Sequence, residues 1–274
     1  MAYPEVKATE IPEVANYVKS LTGIVLDASK SYLIQSRLGP LCVLNKVASY
    51  AELCKMARSQ NKLQLELIDA ISTNETSFYR DKSPFELLKA KLLPDILKRM
   101  NGTKQPIAIW SAASSTGQEV YSIAFSIYEK MPNMHDYYIK ILGTDISDAA
   151  VRAASYAYFT DLELGRGMSP EKRHCYFTQE GGRWKVKDEF RALASFQRLN
   201  LLENIDHLPK FDIIFCRNVA IYFDMDQRRK LYTSLSRRLK PEGVLVIGST
   251  ESLAFASDLF DRHEHERAVY YTRK

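Results

Sequence analysis

The chain has 274 residues, 46% of them hydrophobic and 26% charged, the balance of a soluble globular protein that buries a full core in one large domain or two modest ones. Its net charge of +5 admits an acidic partner, but no long Lys/Arg block announces nucleic acid. Cys42, Cys54, Cys175 and Cys216 are scattered with no C-x-x-C, no signal peptide is read before residue 30, and no apolar run is long enough to span a bilayer; reduced thiols in a cytoplasmic protein are expected, without disulfides or zinc.

The first seventy residues read as helical. Val14, Val18 and Leu21 recur at helical spacing before Gly23, which predicts a stop there, and Gly39-Pro40 predicts a break in the second segment. Ser49-Tyr-Ala-Glu52 is a capping-box pattern, Leu63, Leu67, Ile68 and Ile71 stripe the next helix, and Ser83-Pro-Phe-Glu86 is a second capping box with proline at the first helical position.

Beyond residue 106 strands and helices alternate. Ile107–Trp110 leads into small residues from Ser111 to Gly117 and then into a helical pattern, a strand–turn–helix whose small side chains let a ligand approach the backbone. With one glycine the turn lacks a G-x-G-x-x-G fingerprint, which points to an adenosine-containing ligand without a pyrophosphate cradle. Further strands are predicted at Ile139–Thr144, Ser195–Leu199, Phe211–Cys216, Gly243–Gly248 and Ala268–Thr272, so a mostly parallel sheet is expected. Residues 174–198 depart from the alternation. Two β-prone runs around Gly181-Gly182 predict a hairpin and, with Ser195–Leu199, a small antiparallel insert on the sheet edge.

Several polar residues have two readings. Glu119, in Thr116-Gly-Gln-Glu119, either closes a capping box or meets a cationic or hydroxylated ligand. Asp145, at the end of the presumed second strand, either holds ribose hydroxyls or is a turn or cap residue, and Asp148 could serve as that cap equally well. Arg217-Asn218 lies at the carboxyl end of an apolar strand, between two apolar runs that argue against a plain solvated turn. Thr73–Arg80 is either a helix–helix linker or a segment whose Arg80 clamps a carboxylate. His263 and His265 would share one face of a strand; with no third ligand in view they read as a solvated edge rather than a metal site.

In this order and spacing, Thr73–Arg80 with Phe85, Trp110–Ile123, Gly143–Ile146, Asn200–Leu202 and Phe211–Asp224 resemble the chemotaxis receptor methyltransferases (the CheR family), S-adenosylmethionine-dependent protein-glutamate O-methyltransferases, over nearly the whole chain. The resemblance implies an α/β protein: an all-α domain over 1–75, then a Rossmann-like methyltransferase domain over 76–274 with a small antiparallel β-subdomain at about 174–198. It implies that Asn74, Thr76, Arg80, Glu119, Asp145, Asn200, Leu201, Arg217 and Asn218 surround S-adenosylmethionine, whose product is S-adenosylhomocysteine. Arg80 then partners the methionine carboxylate and Asp145 the ribose, while Glu119 becomes a ligand contact that could still cap its helix. Arg217, Asn218 and Tyr222 are the candidates for positioning the substrate carboxylate, and no metal is implied.

A glutamate side chain with a reference pKa of about 4.3 is already a nucleophile at neutral pH, so a chain with no visible catalytic His or Cys suits this transfer. The implied partner is the cytoplasmic helices of a chemoreceptor, with no nucleic acid, no membrane insertion, and a monomeric enzyme. A cofactor-binding sensor without turnover, or methylation of a non-chemotaxis receptor, stay open as alternatives. The chain departs from the family pattern at Gln118, at Ala220 and at Gly39-Pro40, where arginines are common; Lys30, Arg37 and Lys46 are left as candidate receptor contacts, with Lys55 and Arg58 as further sources of charge. The compact hairpin at Thr178–Arg183 resembles that of members which do not dock on a receptor pentapeptide.

Overall fold

The computed structural model describes residues 3–26, 31–100, 102 and 105–274. Four helices, α1 (Ile11–Thr22), α2 (Ser31–Leu44), α3 (Tyr50–Ser59) and α4 (Asn61–Ile71), bury a common core that includes Val14, Val18, Ile34, Leu38, Leu53, Leu63 and Leu67. Gly23 stops α1 as its sequence predicts, with φ +78° and its N–H donated to the Lys19 carbonyl. Ser49 caps α3 by accepting from the Glu52 N–H, whereas the Glu52 carboxylate reaches past the cap to the Ala48 N–H. The predicted break at Gly39-Pro40 does not occur, and α2 runs through it. Gly39 packs under the Tyr3 ring, 2.6 Å from where a Cβ would stand, and Pro40 faces solvent. Burial of Ile34, Leu38 and Cys42 thus outweighs the one backbone bond that proline removes.

A linker then leads into α5 (Ser83–Leu87), a π-helical turn at Leu88–Leu92 and α6 (Leu93–Met100). The capping box expected at Ser83 does not form, because Ser83 is already the first helical residue and Lys82 takes the cap position without a side-chain bond.

The strands and helices that follow are β1 (Ile107–Ala112), α7 (Gln118–Lys130), β2 (Ile139–Asp145), α8 (Asp148–Tyr156), β3 (Tyr158–Phe159), α9 (Asp161–Gly165), α10 (Pro170–Tyr176), β4 (Phe177–Glu180), β5 (Arg183–Val186), α11 (Asp188–Arg191), β6 (Ala194–Arg198), β7 (Phe211–Cys216), α12 (Met225–Arg238), β8 (Leu239–Ile247), β9 (Phe260–His265) and β10 (Ala268–Arg273). The main sheet has the order β6-β2-β1-β7-β8-β10-β9, parallel from β6 to β8 and antiparallel at β10 and β9. β7 is buried along its whole length. Ile213 and Phe215 face one core with Phe85 and Phe125, and Ile214 and Cys216 face the other with Trp110 and Tyr232. The strand order reverses at β1, so the carboxyl ends of β1, β2 and β7 open into one crevice.

The small sheet has the order β3-β5-β4, with Gly181 and Gly182 at φ +55° and +76° turning the predicted hairpin. Its third strand is Tyr158–Phe159, not the segment at Ser195–Leu199. That segment instead forms β6 and extends the main sheet by pairing parallel to β2, with Asp145 opposite Arg198. A two-residue strand carries no alternation to read, and the partner of β6 is some fifty residues upstream, a choice that local pattern cannot make. Aromatic rings seat the small sheet on α7, among them Phe125 against Phe177 at 5.5 Å and Tyr121 against Phe159 at 6.2 Å.

Candidate active site

A cleft open to solvent lies over the carboxyl ends of β1, β2 and β7. Its floor is the turn from Ser111 to Gly117, which holds three left-handed residues: Ala113 at φ +62°, Ser115 at +50° and Gly117 at +96°. Gly117 is required twice over, by its φ and by Ala154, whose Cβ stands 2.9 Å from where a side chain would begin. The turn is tied down by Ser114 N–H to the Thr144 carbonyl (2.8 Å) and Ser115 Oγ–H to the Asn74 carbonyl (3.0 Å). Ser114 Oγ is buried against the cleft with no protein partner, a polar atom left for a ligand.

Asp145 ends β2 and lines the cleft. Its Oδ2 accepts from the Ser115 N–H (2.8 Å) and its Oδ1 from the Ser147 N–H (2.9 Å). Burial pushes its carboxyl above the ordinary range, opposed by those backbone donors. Helix α8 is capped by neither Asp145 nor Asp148 but by Ser147, whose Oγ accepts from the Ala150 N–H.

Glu119 does not cap α7 either; Gly117 occupies the cap position and no side chain bonds there. Instead Glu119 accepts from Ser111 Oγ–H (2.7 Å) and from Arg217 Nη1 (2.7 Å). The Arg217 side chain is 1% exposed. Its Nη2 donates to Asp81 Oδ2 (2.8 Å) and the Arg80 carbonyl (2.7 Å), and its guanidinium stands over the Phe85 ring at 5.7 Å. Arg217 thus pairs with Glu119 in the cleft lining and with Asp81 outside it. Among the residues that line the cleft, Glu75, Glu119 and Asp145 exceed Arg80 and Arg217 by one formal negative charge, which favours a cationic ligand.

Asn218 follows with φ +57°, and its N–H is held by Glu251 Oε2 (2.8 Å), which also accepts from the Gly248 N–H (2.8 Å). Burial raises the Glu251 carboxyl, and its Oε1 has no hydrogen-bond partner. Arg80 lies half-buried at the cleft and donates from Nη1 to the Glu75 carbonyl (2.9 Å). Asn200 Nδ2 donates to the Leu21 carbonyl (3.1 Å) and the Tyr222 carbonyl accepts from the Val25 N–H (3.0 Å), so both join the helical domain to the cleft, which Thr22 and Ile24 help to line.

Asn74, Thr76, Arg80, Glu119, Asp145, Asn200, Leu201, Arg217, Asn218 and Tyr222 all line this one cleft. Arg37 and Lys46 are not among its lining residues. Arg37 Nη1 donates to the Ser72 carbonyl (3.0 Å) at the rim, Lys46 is exposed in the turn after α2, and Lys30 lies outside the described residues. Asp81 and Glu251, which hold Arg217 and Asn218, carry no signal in the sequence beyond their charge.

Residues 9–72 match the family description "CheR methyltransferase, all-alpha domain" and residues 74–269 match "CheR methyltransferase, SAM binding domain". The chain belongs to the CheR methyltransferase family. Among relatives of this CheR methyltransferase, "Chemotaxis protein methyltransferase 1" of Vibrio cholerae is 41% identical over 271 residues, 97% of each chain. "Chemotaxis protein methyltransferase" of Vibrio parahaemolyticus is 40% identical over the same share, and "Chemotaxis protein methyltransferase 1" of Pseudomonas aeruginosa is 38% identical over 94% of this chain and 95% of its own.

The cleft of this CheR methyltransferase suits S-adenosylmethionine on its own chemistry. Its lining residues carry one formal negative charge in excess, which suits a sulfonium, the buried Ser114 hydroxyl is left without a protein partner, and its floor has small side chains without a glycine-rich phosphate cradle. Among the described residues no cluster of three or more His, Cys, Asp or Glu could hold a metal, and no helix is long and apolar enough to cross a membrane. His263 lies on edge strand β9, stacked on Tyr270 with its Nε2 2.8 Å from Thr272 Oγ1.

Proposed function

We propose that this chain transfers the methyl group of S-adenosylmethionine to glutamate side chains on the cytoplasmic helices of a chemoreceptor. The observation that carries this reading is one cleft at the carboxyl edge of an α/β sheet that gathers the Glu119–Arg217 pair, Asp145 and Arg80, with one formal negative charge in excess among its lining residues. Asp145 takes the ribose hydroxyls, with lone pairs left over from its two backbone bonds. The planar Arg80 fork takes the methionine carboxylate. Glu119, Asn74, Thr76, Asn200 and Leu201 complete the enclosure. Bound there, the donor supplies a sulfonium-activated methyl group, and a glutamate carboxylate, ionised at neutral pH, accepts it with no general base.

Asn218 and Tyr222 line the cleft and orient the incoming carboxylate. Arg217 acts on them from behind, since its Nη atoms are turned to Glu119, Asp81 and the Arg80 carbonyl. Lys30, Arg37 and Lys46 supply positive charge toward the acidic receptor helices. The enzyme works as a cytoplasmic monomer without a metal, with a helical domain over 1–75 and a methyltransferase domain over 76–274. The two-glycine hairpin between β4 and β5 leaves it independent of a receptor pentapeptide. The product is an uncharged ester, so each turnover removes one negative charge from the receptor helix.

Incubation with tritiated S-adenosylmethionine and receptor-containing membranes tests the reading. Base-labile label on the receptor is expected. Label on another acidic protein would redirect the substrate assignment, and donor binding without transfer would make the chain a sensor.

A further inference from the structure

The segment Tyr79-Arg80-Asp81-Lys82 carries three non-glycine residues in the left-handed region, Tyr79 at φ +51°, Asp81 at +68° and Lys82 at +54°. Such a backbone persists only where its surroundings impose it. From the cleft side Arg217 holds the Arg80 carbonyl and the Asp81 carboxylate, and from α7 Ser122 Oγ accepts the Tyr79 N–H (2.9 Å). The Tyr79 ring also packs edge-on against Phe85 at 5.4 Å, and a further anchor lies outside the cleft. Glu129, in the last turn of α7, accepts from Tyr79 Oη–H (3.1 Å), Tyr176 Oη–H (2.7 Å), Lys172 Nζ (2.6 Å) and Lys89 Nζ (2.9 Å). Lys172 also stands over the Tyr79 ring at 4.4 Å, so the ring is gripped at its face and at its hydroxyl.

The geometry points to Glu129 as a positioning residue for the donor, acting through Tyr79 to set the direction of Arg80. One carboxylate joins four separate pieces of the fold: the linker at Tyr79, the π turn at Lys89, helix α7, and helix α10 through Lys172 and Tyr176. Arg80 is the next residue after Tyr79, and freeing the Tyr79 side chain lets the left-handed backbone relax and swings the guanidinium off its line. Because α10 runs directly into β4, the position of the small sheet is wired to the same arginine.

This inference rests on the reading of Arg80 as the carboxylate partner, and its test separates the two. S-adenosylhomocysteine carries the amino-acid carboxylate, whereas methylthioadenosine lacks it. Calorimetric titration of the full chain with both ligands is expected to show Glu129→Gln and Tyr79→Phe each losing roughly tenfold in S-adenosylhomocysteine affinity, the scale of one charge-assisted hydrogen bond. Methylthioadenosine affinity should stay within about twofold. Tyr79→Phe leaves Glu129 its other partners and carries the test if Glu129→Gln unfolds. Equal losses for both ligands, or none for either, overturn the proposal. Arg80→Ala serves as the reference: if it abolishes the preference for S-adenosylhomocysteine while both variants keep it, the role of Glu129 alone falls, and if it keeps the preference, the Arg80 reading falls and takes the proposal with it.

Discussion

Asp145 shows how one side chain serves two ends. Its oxygens hold the Ser115 and Ser147 N–H groups, which shape the floor turn and the start of α8, and the same carboxylate faces the cleft. Asp145→Ala is expected to weaken S-adenosylhomocysteine binding by about 1–3 kcal/mol, measured by calorimetric titration, because ribose hydroxyls lose their acceptor. A fall in melting temperature with affinity intact would return Asp145 to a turn residue. Glu119 is the instructive contrast. Its S/T-x-x-E spacing predicts a cap, yet the fold spends the carboxylate on Ser111 and on an arginine ninety-eight positions away. A capping box needs only local geometry, whereas a buried guanidinium demands counter-charge wherever the chain brings it.

At the scale of elements, local chemistry decided the starts and turns, and packing decided the pairings. Gly23 ends α1, Ser49 caps α3 and Gly181-Gly182 turns the hairpin, each from residues adjacent in sequence. The continuity of α2 through Pro40, the π turn at Leu88–Leu92 and the parallel place of β6 follow from contacts that no short window contains. The hairpin itself carries a prediction. β4 and β5 pair over four residues each and are joined by only two glycines, which leaves little loop to receive an added peptide strand. Titration with a peptide bearing a receptor's C-terminal pentapeptide should give no binding in the micromolar range, and micromolar heat of binding would refute pentapeptide independence.

Over the whole molecule, the helical domain closes one side of the cleft. Asp69 on α4 accepts from Ser147 Oγ–H (2.8 Å), Lys19 pairs with Asp224 (2.8 Å), and Asn200 and Tyr222 bond to the chain around Gly23. Bundle and sheet are thereby fastened at the same loops that shape the site. Glu129 makes a comparable join on the other side, and its cationic and phenolic partners hold its carboxyl at about 2 against an ordinary value of 4.5. A carboxyl whose pKa is lowered by folding stabilises the protein fully above its unfolded value and loses that contribution as pH falls through the folded one. Acid unfolding followed by circular dichroism should therefore lose part of its pH dependence between about 4.5 and about 2 in Glu129→Gln, a contribution of up to about 3 kcal/mol.

By itself the sequence determined the helical bundle followed by an alternating α/β sheet and the strand–turn–helix at Ser111–Gly117, because hydrophobic period and turn chemistry are written in neighbouring residues, whereas the residues that line the cleft were implied by the resemblance to the CheR family. Only the tertiary structure decided that Arg217 is buried between Glu119 and Asp81, that Glu251 holds Asn218, that β6 joins the main sheet, and that Glu129 grips the linker beside Arg80. Each of these pairs a charge or a strand edge with a partner distant in sequence. The need for a partner is visible in the residue, but its identity is settled only by which surfaces the folded chain brings together.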